Sequence, residues 1–169
     1  MNIIVNDANI LIDLVKLDLV SQLFGLPFEF QTTSLILEEL FEDQQNEYRP
    51  FIDNQIFHIA EFTSEEIDSI VQLAVETPAL SPQDCSAFFQ ARKTGGALIT
   101  GDNSLRKFTH KQKVAVFGHL WVLDNLVANG LISGEKAVEI LERLTTEVNP
   151  RLGLPKDECH KRILLWQSV

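Results

Sequence analysis

Thiols are scarce in this chain: two cysteines, Cys85 and Cys159, stand among 169 residues. Their spacing fits neither a zinc site nor a disulfide framework, which points to a reducing compartment. Long hydrophobic runs are also missing, and the longest uninterrupted ones are far too short to cross a bilayer. The first twenty residues are apolar but carry Asp7, Asp13 and Asp18 and lack the basic flank of a secretory signal. The expectation is a cytoplasmic protein with no membrane association. Positive charge is nearly absent from the first half, where residues 1–91 hold only Lys16 and Arg49 against sixteen acids.

The formal net charge of −10 argues against a nucleic-acid partner, because phosphates repel acid. The distribution softens that exclusion. Residues 92–169 hold twelve basic groups against eight acids. An acidic half joined to a basic half suits a cation-loaded pocket beside a phosphate-gripping surface.

A hydrophobic fraction of 45% and a charged fraction of 22% are those of an ordinary globular chain, and the length suits one domain with a proper core. "NIIV" (2–5) reads as a buried strand and "ANILIDLVKLDLVSQLF" (8–24) as helix with a break near Lys16. "FEFQTT" (28–33) alternates as a strand, and "SLILEELFEDQ" (34–44) reads as the helix after it. "QIFHIAEF" (55–62) is a strand, and Thr63 with Glu66 opens a helix over 63–77 in capping-box register. Ser81, Pro82 and Gly95 bound a helix over 81–95, "ALIT" (97–100) is a strand, 102–111 a helix and "VAVFG" (114–118) a strand. Three helices close the chain near 119–129, 134–147 and 156–167. Strands alternating with helices imply right-handed crossovers, hence an α/β fold: a three-layer α/β/α sandwich on a mainly parallel sheet. Residues 1–130 form its main body, and 131–169 a C-terminal helical extension packed on the same domain.

In such sheets, functional groups gather at the carboxyl ends of the strands. Asp7 follows the first strand, Asp102 follows "ALIT", and Asp84 lies in the first turn of the helix before it. Glu38 and Glu39 sit one to two turns into the helix after "FEFQTT". Each acid alone has a simpler account: Asp7 and Asp102 as N-caps, Asp84 as half of a capping box, the glutamates as solvated helix residues. Capping does not explain four acids at one end of one sheet. Crowded carboxylates raise each other's pKa and oppose the compact state unless a cation compensates. An oxygen-only set lacking histidine and thiolate suits Mg²⁺ or Mn²⁺ rather than zinc. Such an ion stabilises charge on a phosphoryl oxygen and acidifies an attacking water, so the pattern implies metal-dependent phosphodiester hydrolysis.

"NDANILID", "TTSLILEEL" and "LSPQDCSAFFQARKTGGALITGD" together resemble the PIN-domain family of ribonucleases, which includes the toxin subunits of VapBC toxin–antitoxin pairs. The resemblance spans roughly residues 1–130, and "FGHLWVLDNLVANGLISGEKAVEIL" is similar to the C-terminal region of an uncharacterised PIN-like subgroup. It implies Asp7, Glu39, Asp84 and Asp102 as catalytic, metal-binding acids around Mg²⁺ or Mn²⁺. Asn9 and Thr100 match positions that support the cluster through hydrogen bonds. Helical periodicity cannot choose between Glu38 and Glu39, which flank the stripe of Leu37, Leu40 and Phe41 on opposite sides. The resemblance favours Glu39, with Thr33 six residues upstream. It further implies an RNA substrate, a homodimer and a small antitoxin as partner. His119 departs from the family, replacing a small hydroxyl residue, and no further acid follows Asp102 where many members have one.

"RKFTHKQK" (106–113) offers Arg106, Lys107 and Lys111 as RNA-backbone contacts, with Arg92 and Lys93 extending them; a solvated basic helix is the simpler account. Cys85 reads as a packing residue, since no histidine is placed to activate it. The rival to a nuclease is a catalytically inactive PIN-like interaction module. A phosphorylated receiver-type domain ranks lower, because nothing in "TTSL" supplies its aspartate.

Overall fold

A computed structural model describes residues 3–169. Asn2, expected at the start of the first strand, lies outside the described residues. In chain order the elements are β1 (Ile3–Asn6), α1 (Ala8–Lys16), α2 (Val20–Leu23), β2 (Glu29–Thr33), α3 (Ser34–Leu37), α4 (Glu42–Asp53), β3 (Phe57–Ala60) and α5 (Ser64–Glu76). They continue with α6 (Pro82–Thr94), β4 (Ala97–Ile99), α7 (Asn103–Lys111), β5 (Val116–Phe117), α8 (His119–Ala128), α9 (Gly134–Arg143), a π-helical turn (Leu144–Val148) and α10 (Lys156–Trp166).

The five strands form one sheet in the order β3-β2-β1-β4-β5, and every pairing is parallel. With helices on both faces, this is the expected α/β/α sandwich. Because β1 is central and buried on both sides, it reads as an unbroken apolar run rather than an alternating one. Val5, Leu98 and Ile99 are fully buried. Fully extended pairing of β1 with both β2 and β4 brings Asn6, Thr33 and Ile99 to the same edge of the sheet.

One expected element divides. The stretch 34–44 is not one helix: α3 ends at Leu37, and Glu39 and Leu40 close a tighter turn through N–H donation to Ile36 O (3.0 Å) and Leu37 O (3.2 Å). Phe41, expected on the apolar stripe, is instead 75% exposed. Its N–H donates to the Gln44 side chain (3.0 Å), starting α4. α4 itself has little sequence signal, since "EDQQNEYRP" is polar and contains Pro50. It is held by Tyr48, which is fully buried and donates its hydroxyl to the carbonyl of Leu11 (2.7 Å). Around Tyr48 gather Phe24, Phe51 and Phe57, with Phe24 and Phe51 stacked at 4.3 Å between centroids.

The C-terminal helices lie against the sandwich. Trp166 is buried and donates its indole N–H to Asp124 on α8 (3.0 Å), while Arg162 bonds the other carboxylate oxygen of Asp124 (3.0 Å). Gly134 permits this closeness, because a Cβ there would fall 1.8 Å from the carbonyl oxygen of Trp166. Among the described residues no helix is long and apolar enough to cross a membrane.

Tyr48→Phe leaves the aromatic packing in place and removes one buried hydrogen bond, so it is expected to lower stability by about 1 kcal/mol. Urea unfolding of both proteins checks this, with an unchanged slope and a lower midpoint expected.

Candidate active site

The β1–β4 pairing continues one residue beyond the strands, where Asp7 N–H donates to Ile99 O (3.0 Å). That bond aims the Asp7 side chain across the strand ends. Asp7 is 2% exposed and caps α1: Oδ1 accepts from Ala8 N–H (2.8 Å), while Oδ2 accepts from the Asn9 amide (2.7 Å) and the Thr100 hydroxyl (2.7 Å). Thr100 also accepts from Asp102 N–H (3.0 Å), so the two aspartates are joined through one hydroxyl. Asn9 accepts from Gly101 N–H (2.7 Å). Asn9 and Thr100, expected beside the acids, both bond to Asp7.

Asp102 caps α7 through Oδ1, which accepts from Leu105 N–H (2.7 Å). Asp84 completes the capping box of α6, with Oδ2 accepting from Ser81 N–H (2.8 Å). The N-terminus of α6 is tied to the end of β2, where Thr33 and Ser86 share a hydroxyl–hydroxyl bond (2.7 Å). Thr33 in turn caps α3 through Ile36 N–H (3.1 Å), which sets the turn carrying Glu39.

Electrostatics link three of the acids. Burial pushes Asp7 up from its ordinary 3.8 to about 6; Asp84 and Glu39 push it further up, and the Thr100 and Ala8 bonds pull it down. Glu39 is raised as well, by burial and by Asp84. Asp7, Glu39 and Asp84 therefore share one field. Asp102 adjoins them through Thr100. All donors here are oxygens, which suits a hard cation such as Mg²⁺ that keeps several waters and takes one or two carboxylates directly. Among the described residues no three His, Cys, Asp or Glu side chains are close enough to enclose an ion together.

The basic residues spread out. α6 runs from Asp84 toward the opposite edge of the sheet, so Arg92 and Lys93 lie on its last turn, far from the acids, and Lys93 pairs with Glu66. Lys111 likewise ends α7. Arg106 is half-buried and donates to Thr100 O (2.8 Å), supporting the turn that carries Asp102; Lys107 is exposed. Burial pushes the Cys85 thiol up to about 11, which suits its packing role.

One feature of the site was missed. His119 is buried, with Nε2 at 2.8 Å from Asp13 Oδ2, and Asn149 donates to that same oxygen (2.9 Å). The clues were an aspartate on the apolar face of the first helix and a histidine where the family resemblance implies a small hydroxyl residue.

A family model described as a PIN domain (DUF3368) matches residues 3–164. The chain belongs to the PIN-domain family. PIN domains are generally nucleases and typically use divalent metals. The match extends through the C-terminal helices. No curated protein matches the chain. Among solved structures it is similar to PAE2754 from Pyrobaculum aerophilum, at 19% identity and a TM-score of 0.51, over 76% of this chain and 97% of that one. That likeness supports the fold.

The raised pKa of Asp7 fixes the sign of a pH effect. The folded state holds this proton more tightly than the unfolded chain, so the stabilisation is complete below about pH 4 and is lost as pH rises through about 6. Relative to Asp7→Asn, the wild type is expected to lose up to about 3 kcal/mol of stability between pH 4 and pH 7 in metal-free buffer. Paired urea titrations across that range measure the difference.

Proposed function

We propose that the protein is a metal-dependent endoribonuclease that hydrolyses RNA phosphodiester bonds. The observation that carries this reading is the buried Asp7 carboxylate facing Glu39 and Asp84 at the carboxyl edge of the sheet. A fold gains nothing from crowding these charges, and their presence is explained by a cation they receive. Asp7, Glu39 and Asp102 would hold Mg²⁺ or Mn²⁺ directly or through water, with Asp84 completing the pocket; when bound, the ion would acidify a water and stabilise charge on a phosphate oxygen.

The chain's own residues do the positioning. Capping uses one oxygen of Asp84 and one of Asp102, which fixes each carboxylate and leaves its other oxygen without a hydrogen-bond partner among the described residues. Asp7 is fixed through both oxygens, Oδ1 by the Ala8 N–H and Oδ2 by Thr100 and Asn9. Capping and ligation are therefore two uses of one side chain. A role as the toxin of a type II pair, with a homodimeric assembly and a small antitoxin partner, extends this reading. It rests on the motif resemblance, and a short neighbouring gene with a DNA-binding pattern would support it.

The second reading, an inactive PIN-like interaction module, is favoured by one feature: no three candidate ligands converge among the described residues. Calorimetric titration with Mn²⁺ separates the two. The nuclease reading predicts saturable heat that Asp7→Asn abolishes. It also predicts cleavage of labelled RNA in Mn²⁺, lost with chelator and at least about 100-fold slower in Asp102→Asn, which corresponds to about 3 kcal/mol of barrier. Equal cutting by wild type and Asp102→Asn ends the catalytic assignment.

A further inference from the structure

The C-terminal segment reaches Asp102. Beside Asp102 opens a cleft of about 290 Å³, lined on one side by Asn9, Gly101, Asp102 and Asn103 and on the other by Asn149 and Arg151. These last two come from the loop between the π-helical turn and α10, more than forty residues further along the chain than Asp102. Among the described residues the Arg151 side chain enters no hydrogen bond or ion pair, although it shares the cleft with a carboxylate.

This loop is braced. Asn149 N–H donates to Leu144 O (2.8 Å), and Leu152 N–H donates to Asn149 O (3.0 Å). The Asn149 side chain reaches inward to Asp13, which His119 also meets; Asp13 and His119 are each 4% exposed. Outward, the loop presses on the turn that carries Asp102. A Cβ on Gly101 would meet His119 at 2.7 Å and Leu152 at 3.0 Å. Buried polar networks of this kind fix a geometry rather than add net stability.

A polyanion approaching crowded carboxylates needs a cation beside them; the basic groups on α6 and at the end of α7 lie toward the opposite edge of the sheet, and the Arg106 guanidinium is half-buried and engaged with Thr100 O. A guanidinium offers paired donors that match a phosphate's oxygens. We propose that Arg151 binds a phosphate of the substrate strand next to the acids, and that the Asn149–Asp13–His119 network is the brace that holds its loop there. The proposal rests on the nuclease reading and assigns the C-terminal extension a share of the active site. Arg151 is then a substrate-binding residue, and Asn149 a positioning residue.

The test is fluorescence anisotropy of a labelled single-stranded RNA over a salt series, with Ca²⁺ in place of Mn²⁺ to keep the strand intact. Wild type is compared with Arg151→Ala, Arg151→Lys, Asn149→Ala and, as a control for net charge, Lys136→Ala. Arg151→Ala is expected to bind more weakly and to reduce the slope of log affinity against log salt by about 0.7, one single-strand phosphate contact. Arg151→Lys restores most of the slope, Lys136→Ala changes neither quantity, and Asn149→Ala weakens binding while trypsin cuts faster after Arg151. An Arg151→Ala protein with wild-type affinity and slope overturns the proposal and leaves the nuclease reading standing, as does an equal loss in Lys136→Ala. Wild type that binds no RNA at any salt overturns both.

Discussion

The meeting of β1 and β4 at the carboxyl edge of this sheet depends on one buried carboxylate. Asp7 stands where β1 becomes α1, and its backbone N–H extends the β1–β4 pairing by one residue. Its side chain then caps the helix, accepts from Asn9 and draws Thr100 inward. Through Thr100 it orders the turn that presents Asp102. Burying a carboxylate is costly, and two neighbouring acids make it costlier. The network around Asp7 orients that charge; it does not neutralise it.

On the proposed reading this arrangement trades stability for chemistry, as sites often do. Helix caps resolve the apparent conflict between structural and functional readings of the acids. A cap needs a single oxygen and fixes the carboxylate's direction; at Asp84 and Asp102 it leaves the second oxygen available, whereas both oxygens of Asp7 accept hydrogen bonds. Three helix starts, those of α1, α6 and α7, thereby deliver three aspartates to one edge. The glutamate arrives differently, on a tight turn that the Thr33 cap and the Thr33–Ser86 bond hold against α6.

Much of this was legible in the chain. Short β-branched runs between helical stretches specify a parallel sheet, and Thr63 with Glu66, like Ser81 with Asp84, announces a helix start with its own partner. α4 was not legible, because its polar sequence holds Pro50 and depends on Tyr48 reaching a carbonyl of α1. For the same reason the turn at Glu39 hid inside an apparent helix: periodicity records which residues are apolar, not where a later helix must restart. Asp13, His119 and Asn149 escaped because they meet across 106 and 136 residues of sequence, and no local pattern links them.

The tail is thus part of the same physical account, an extension whose buried contacts end beside the acids. The most direct test of that account is the titration of the Asp7 carboxyl carbon by NMR in protein labelled at aspartate, without and with Mg²⁺. The account predicts a midpoint near 6 in metal-free solution and a clear fall when Mg²⁺ is added. A midpoint at the ordinary aspartate value, or one that Mg²⁺ leaves unmoved, would contradict it.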